Sequence, residues 1–80
     1  MKPLSRRQRQ VIVLAANGYT NAGIAHTLGI HRCTVDRHFA EAYANLGARD
    51  RANAVALAYR RGEIGPDDIQ TTDQQRKDAA

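Results

Sequence analysis

The sequence predicts an all-α fold, a four-helix bundle containing a helix-turn-helix. Three observations carry that prediction. Apolar residues recur at helical spacing in four separate stretches. A glycine follows each stretch, at positions 18, 29, 47 and 62. No run of alternating β-branched residues marks a strand, and only two prolines interrupt the chain.

The first helix is expected over about Arg6–Ala16. Ser5 is a good N-cap, and Gln8 three residues later completes a capping-box pattern. Val11, Leu14 and Ala15 share one face and form the expected core, with Leu4 packing back from a short N-terminal arm. Ile12 and Val13 exceed what one face needs and serve either the core or a subunit contact. Asn17-Gly18 closes the helix, and Thr20 or Asn21 caps the next.

The second helix, Asn21 to Leu28, places Ile24, Ala25 and Leu28 on one side. Gly29 stops it, because glycine alone enters the left-handed conformation without a Cβ clash. Ile30 plugs the corner. The third helix starts near Arg32 and buries Val35, Phe39, Ala42 and Leu46 at i, i+4, i+7 and i+11. That spacing turns Arg32, Cys33, Asp36, Arg37, Ala40 and Glu41 outward. A short helix, a glycine turn and a helix with an exposed polar face make a helix-turn-helix, whose second helix fits a DNA major groove.

Gly47 ends the third helix, and Asp50 caps a fourth over about Arg51–Arg61. Ala54, Val55, Leu57 and Ala58 give it an apolar side. From residue 65 the chain turns polar and acidic, with Ile69 its one large apolar side chain. Residues 1–64 are therefore read as one domain and 65–80 as a flexible tail.

Charge is unevenly spread. Residues 1–62 hold ten basic and three acidic side chains, and residues 63–80 hold two basic and five acidic ones. A basic folded part suits a polyanionic partner. One cysteine excludes an intramolecular disulfide and fits a reducing cytoplasm, and no apolar run is long enough to span a membrane. The set His31, Cys33 and His38 has the wrong helical spacing for a metal site, and no nucleophile or carboxylate pair suggests an enzyme. No cofactor is expected.

The order of these signals resembles the LuxR/GerE-type DNA-binding domain. The segments that carry the likeness are Leu4-Ser5-Arg6-Arg7-Gln8, Gly18-Tyr19-Thr20-Asn21-Ala22-Gly23-Ile24-Ala25, Leu28-Gly29-Ile30 with Thr34-Val35 and His38, and Leu46-Gly47 with Arg51 and Ala54-Val55. The resemblance spans about Leu4 to Gly62. Sigma-factor region 4 is similar through the third helix, but the Leu46-Gly47 ending favours the LuxR/GerE type. The resemblance implies a transcription regulator acting as a dimer, with the third helix in the major groove and the fourth at the dimer contact. With no receiver or ligand-sensing domain in these 80 residues, the chain is similar to the small stand-alone members.

The candidate DNA-binding residues are Thr20, Asn21, Arg32, Cys33, Thr34, Asp36, Arg37, His38, Arg49 and Arg51. Arg32 and Arg37 suit guanine O6 and N7. Thr20, Asn21 and Thr34, at helix starts, suit phosphate. Thr34 and His38 match the family motif, and Cys33 is a small residue on the DNA face. Arg49 and Arg51 flank the turn before the fourth helix; Arg51 either grips the backbone or holds the fold through Asp36, Glu41 or Asp50. Asp36 departs from the basic residue common there, and either accepts from cytosine N4 or holds Arg37. Ala22-Gly23 replaces a usual polar pair, Asn45 a common basic residue, and His31 a serine cap. Ala52, Val55, Ala56 and Tyr59 are the expected dimer contact. Two rivals share the fold. One is a protein-interaction module that antagonises another regulator or RNA polymerase, and the other is an accessory factor of a recombinase-like complex.

Overall fold

A computed structural model describes residues 2–71. It contains α1 (Arg6–Ala16), α2 (Asn21–Leu28), α3 (Arg32–Leu46), α4 (Arg51–Arg60) and a 3-10 turn at Pro66–Asp68. Among the described residues there is no strand. The helices begin where the local chemistry allows. Ser5 Oγ accepts from Gln8 N at 3.1 Å while Gln8 Oε1 accepts from Ser5 N at 3.1 Å, which satisfies two donors at the start of α1. Thr20, not Asn21, caps α2, its Oγ1 accepting from Gly23 N at 3.0 Å. Asp50 accepts from Asn53 N at 2.8 Å, and Asn53 Oδ1 accepts from Arg49 N at 3.0 Å. His31 replaces the expected serine cap by accepting from Cys33 N through Nδ1 at 3.3 Å.

The turn inside the helix-turn-helix depends on Gly29, at φ +67°. Its left-handed backbone lets Ile30 N reach back to the Ala25 carbonyl at 3.0 Å. α3 then leaves at an angle that buries Val35, Phe39, Ala42 and Leu46. α1, like α3, packs against the other three helices. That position corrects the expected core. Val11 and Ile12 are the fully buried residues of α1, whereas Leu14 and Ala15 are half-buried. Val11 and Ile12, adjacent in sequence, lie about 100° apart around the helix, so α1 turns a wide apolar arc towards its neighbours. Ile24, Ala25, Ala54 and Ala58 complete the centre.

The chain after α4 folds back onto α1. Arg61, which caps α4, donates to the Lys2 carbonyl, to the Asn45 carbonyl at 3.3 Å and to Glu63 Oε2 at 3.2 Å. The same Glu63 oxygen accepts from Leu4 N at 3.0 Å. Asn45, which stands where a basic residue was expected, donates to the Pro3 carbonyl at 3.2 Å. Ile64 closes the end of the core. Arg9 then binds the Glu63 carbonyl at 3.0 Å and Asp68 Oδ1 at 2.9 Å, and Asn17 bridges the Asp68 carbonyl at 2.8 Å and Gln70 N at 2.6 Å. The stretch from 65 to 70, expected to be flexible, is thus a strap fastened to α1. Arg9 of α1 and Asn17, which caps its end, supply the anchors that the strap's low apolar content does not. The rest of the predicted tail, 72–80, lies outside the described residues.

Candidate nucleic-acid interface

The outward face of α3 carries the side chains that its spacing predicts. Arg32, Cys33, Asp36, Arg37, Ala40 and Glu41 are exposed. The guanidinium groups of Arg32, Arg37 and Arg49 form no hydrogen bond or ion pair with the described residues. They are therefore charges without internal work to do. Thr34 sits half-buried in the first turn of α3, and Thr20, which caps α2, is exposed. His38 is half-buried, with Nδ1 3.7 Å from Glu41 Oε1. Cys33 is a free, exposed thiol.

Arg51 is a different kind of residue. Its Nη1 donates to Asn21 Oδ1 at 2.7 Å, its Nη2 donates to the Tyr19 carbonyl, and its guanidinium lies 4.7 Å from the Phe39 ring centroid. The Arg51 side chain therefore joins the start of α4 to the start of α2 and to the buried face of α3. Of its two predicted uses, the geometry serves the fold. The partners are an amide, a carbonyl and a ring, rather than the carboxylates of Asp36, Glu41 or Asp50. Phe39 packs on Tyr43 at 5.8 Å, and burial lifts the Tyr43 hydroxyl above its ordinary pKa of 10.0 while Arg51 pulls it down.

Asn21 continues the chain of contacts. Its Nδ2 donates to Asp36 Oδ1 at 2.9 Å. The polar connection therefore runs Arg51, Asn21, Asp36 and touches α4, α2 and α3 in turn. Asp36 consequently holds Asn21, not Arg37. The Asn21 side chain is thus committed between a donor and an acceptor. Tyr19, which residue-type reasoning passed over, is 41% exposed beside the start of α2. An aromatic residue directly before an N-cap threonine was the available signal.

On α4 the predicted contact residues divide. Ala52, Ala56 and Tyr59 are exposed at i, i+4 and i+7, and Tyr59 is 44% exposed. Val55 is half-buried and packs against the core, so it lends only an edge to that strip. Among the described residues, no three His, Cys, Asp or Glu side chains are grouped to hold a metal, and no helix is long and apolar enough to cross a membrane.

Comparison with known proteins gives the architecture a family. Residues 2–58 match the GerE family, described as bacterial regulatory proteins of the luxR family. The probable transcriptional regulatory protein SgaR of Hyphomicrobium methylovorum is 44% identical over 57 residues, covering 71% of this chain and 27% of that protein. The transcriptional activator protein BjaR1 of Bradyrhizobium diazoefficiens is 41% identical over 63 residues, covering 79% and 26%. The HTH-type transcriptional regulator MalT of Yersinia pestis is 38% identical over 58 residues, covering 72% and 6%. The chain thus spans about a quarter or less of the length of these relatives. With the family match running through all four helices to within two residues of the end of α4, the chain belongs to the luxR family of bacterial regulatory proteins, a family of DNA-binding transcription regulators and not of enzymes.

Proposed function

We propose that this chain regulates transcription by placing α3 in the major groove of a specific site, as a two-fold dimer on two half-sites. The observation that carries the reading is the pair Arg32 and Arg37, exposed on one helix and free of any partner among the described residues. Each presents the paired donors that match guanine O6 and N7. In this reading Thr20, Thr34 and the exposed Arg49 make the backbone contacts that fix register, while Arg51 supports the interface from inside the fold. A single short helix reads few base pairs, so a second copy is needed for useful affinity. The Ala52, Ala56 and Tyr59 strip supplies a small-residue surface on which α4 can meet its two-fold mate.

The test is fluorescence anisotropy with a labelled duplex across a salt series, for the wild type and Arg37→Ala. The expected log–log slope is about −0.9 per neutralised phosphate, with weaker binding by Arg37→Ala. Absence of binding at low salt by a folded helical chain would refute the reading and favour the protein-antagonist alternative. Sedimentation of the wild type and Ala56→Arg tests the dimer. The substitution is expected to leave the helices intact and to shift the chain to a monomer.

A further inference from the structure

Asp36 is an acid in a basic face. It lies one helical turn after Arg32 and directly before Arg37, and all three are exposed. Its position is fixed from below. Arg51 has only donors, so the Asn21 atom facing it at 2.7 Å must be the amide oxygen. The Asn21 NH2 therefore points to Asp36, and Asp36 Oδ1 must accept it at 2.9 Å. Arg51 is itself located by the Tyr19 carbonyl and by the Phe39 ring. Three helices thus hold one carboxylate in a set orientation. Asp36 Oδ2 accepts no hydrogen bond from the described residues.

A carboxylate beside a phosphate is repelled, and facing guanine O6 or N7 or thymine O4 it sets acceptor against acceptor. The groups in the major groove that can satisfy it are the exocyclic amines, N4 of cytosine and N6 of adenine. Resting on the reading that α3 enters the major groove, we propose that Asp36 is a specificity-determining residue that demands an amino-bearing base at one position of each half-site. Arg32 and Arg37 attract DNA of any sequence as well as guanine. Asp36 adds rejection, because a wrong base leaves its fixed carboxylate facing an acceptor.

The experiment is selection of bound duplexes from a randomised pool by the wild type, Asp36→Ala and Asp36→Asn, followed by affinity measurements on the selected sites. The wild type is expected to restrict one position per half-site to cytosine or adenine, with guanine or thymine there weakening binding roughly tenfold. Asp36→Ala loses the restriction at that position alone and binds unselected DNA more tightly, because a negative charge has gone. Asp36→Asn shifts the choice towards adenine, whose N6 and N7 match an amide. A second measurement uses the unaltered protein. Replacing the selected cytosine by 2-pyrimidinone, or the adenine by purine, removes only the amino group. The wild type should lose roughly tenfold and Asp36→Ala nothing. Identical selected sites for wild type and Asp36→Ala, with equal response to the amino deletion, would overturn the proposal and leave Asp36 as the tether of Asn21. If the wild type selects no site and Arg37→Ala changes nothing, the major-groove reading itself has failed.

Discussion

Replacing Arg51 by alanine tests how the interface is supported. The change removes two charge-assisted hydrogen bonds, to Asn21 and to the Tyr19 carbonyl, and the guanidinium over Phe39. Hydrogen bonds to charged groups contribute about 1.5–3 kcal/mol each, and the low end applies at a half-buried site. The ring contact adds about 0.5–1 kcal/mol. The contributions share Asn21 and are not additive, so the expected loss is about 3 kcal/mol. A domain of this length has a total stability of only about 4–12 kcal/mol. The midpoint of thermal unfolding should therefore fall by roughly 15 °C. Urea unfolding followed by circular dichroism gives the free energy directly, and Arg51→Lys should recover little because an ammonium cannot bridge both acceptors and cover the ring. A phosphate-contacting arginine would behave in the opposite way. A stability change under about 0.5 kcal/mol, with a salt slope shallower by about 0.9, would refute the structural role.

Further outcomes follow from the same geometry. Gly23 has a helical backbone, and a Cβ there would meet Thr20 Oγ1 at 3.4 Å and Tyr19 Cδ2 at 3.6 Å, ordinary contact distances. Gly23→Ala should raise stability by about 0.5–1 kcal/mol in urea unfolding, whereas Gly29→Ala, strained at φ +67°, should cost about 1–2 kcal/mol. The Gly65 N–H, ahead of Arg9, holds the Asp68 carboxyl below its ordinary pKa of 3.8. Because the folded value is the lower one, this contribution is present above the unfolded value and is lost as pH falls through the folded value. The stability difference between wild type and Asp68→Asn should therefore shrink to nothing in acid, as measured by unfolding curves across that range. Arg32→Ala and Arg37→Ala break no internal contact and should change stability by less than about 0.5 kcal/mol.

What the sequence made legible was local. Ser5 with Gln8, Asp50 and the glycines at 18, 29, 47 and 62 act within a few residues of where they stand, so the helices fell where those signals put them. The buried face of α3 was legible because Val35, Phe39, Ala42 and Leu46 fall on one helical spacing. Ile12 was harder to assign because Val11 to Ala16 is one unbroken apolar run, and which of its residues are buried depends on where the other helices pack. Arg51 was ambiguous for a similar reason. Its hydrogen-bond partners stand 30 or more residues earlier in the chain, at Asn21 and Tyr19, and two of its three contacts are a backbone carbonyl and a ring, which charge pairing does not reveal. The strap escaped notice because hydrogen bonds from Arg9 and Asn17, more than 50 residues away, hold a segment with almost no apolar content. On the face of α3, spacing identified which residues are exposed, and the structure added which are already engaged.

The most direct test of α3 as the major-groove element is a dimethyl sulfate footprint on a duplex selected by the wild type. The reagent methylates guanine N7 in the major groove and adenine N3 in the minor groove, so it reports which groove α3 occupies. Protection of guanine N7 is expected in two clusters about one helical turn apart, lost in Arg37→Ala. Protection confined to adenine N3, or guanine N7 protection that survives Arg37→Ala, would contradict that role for α3.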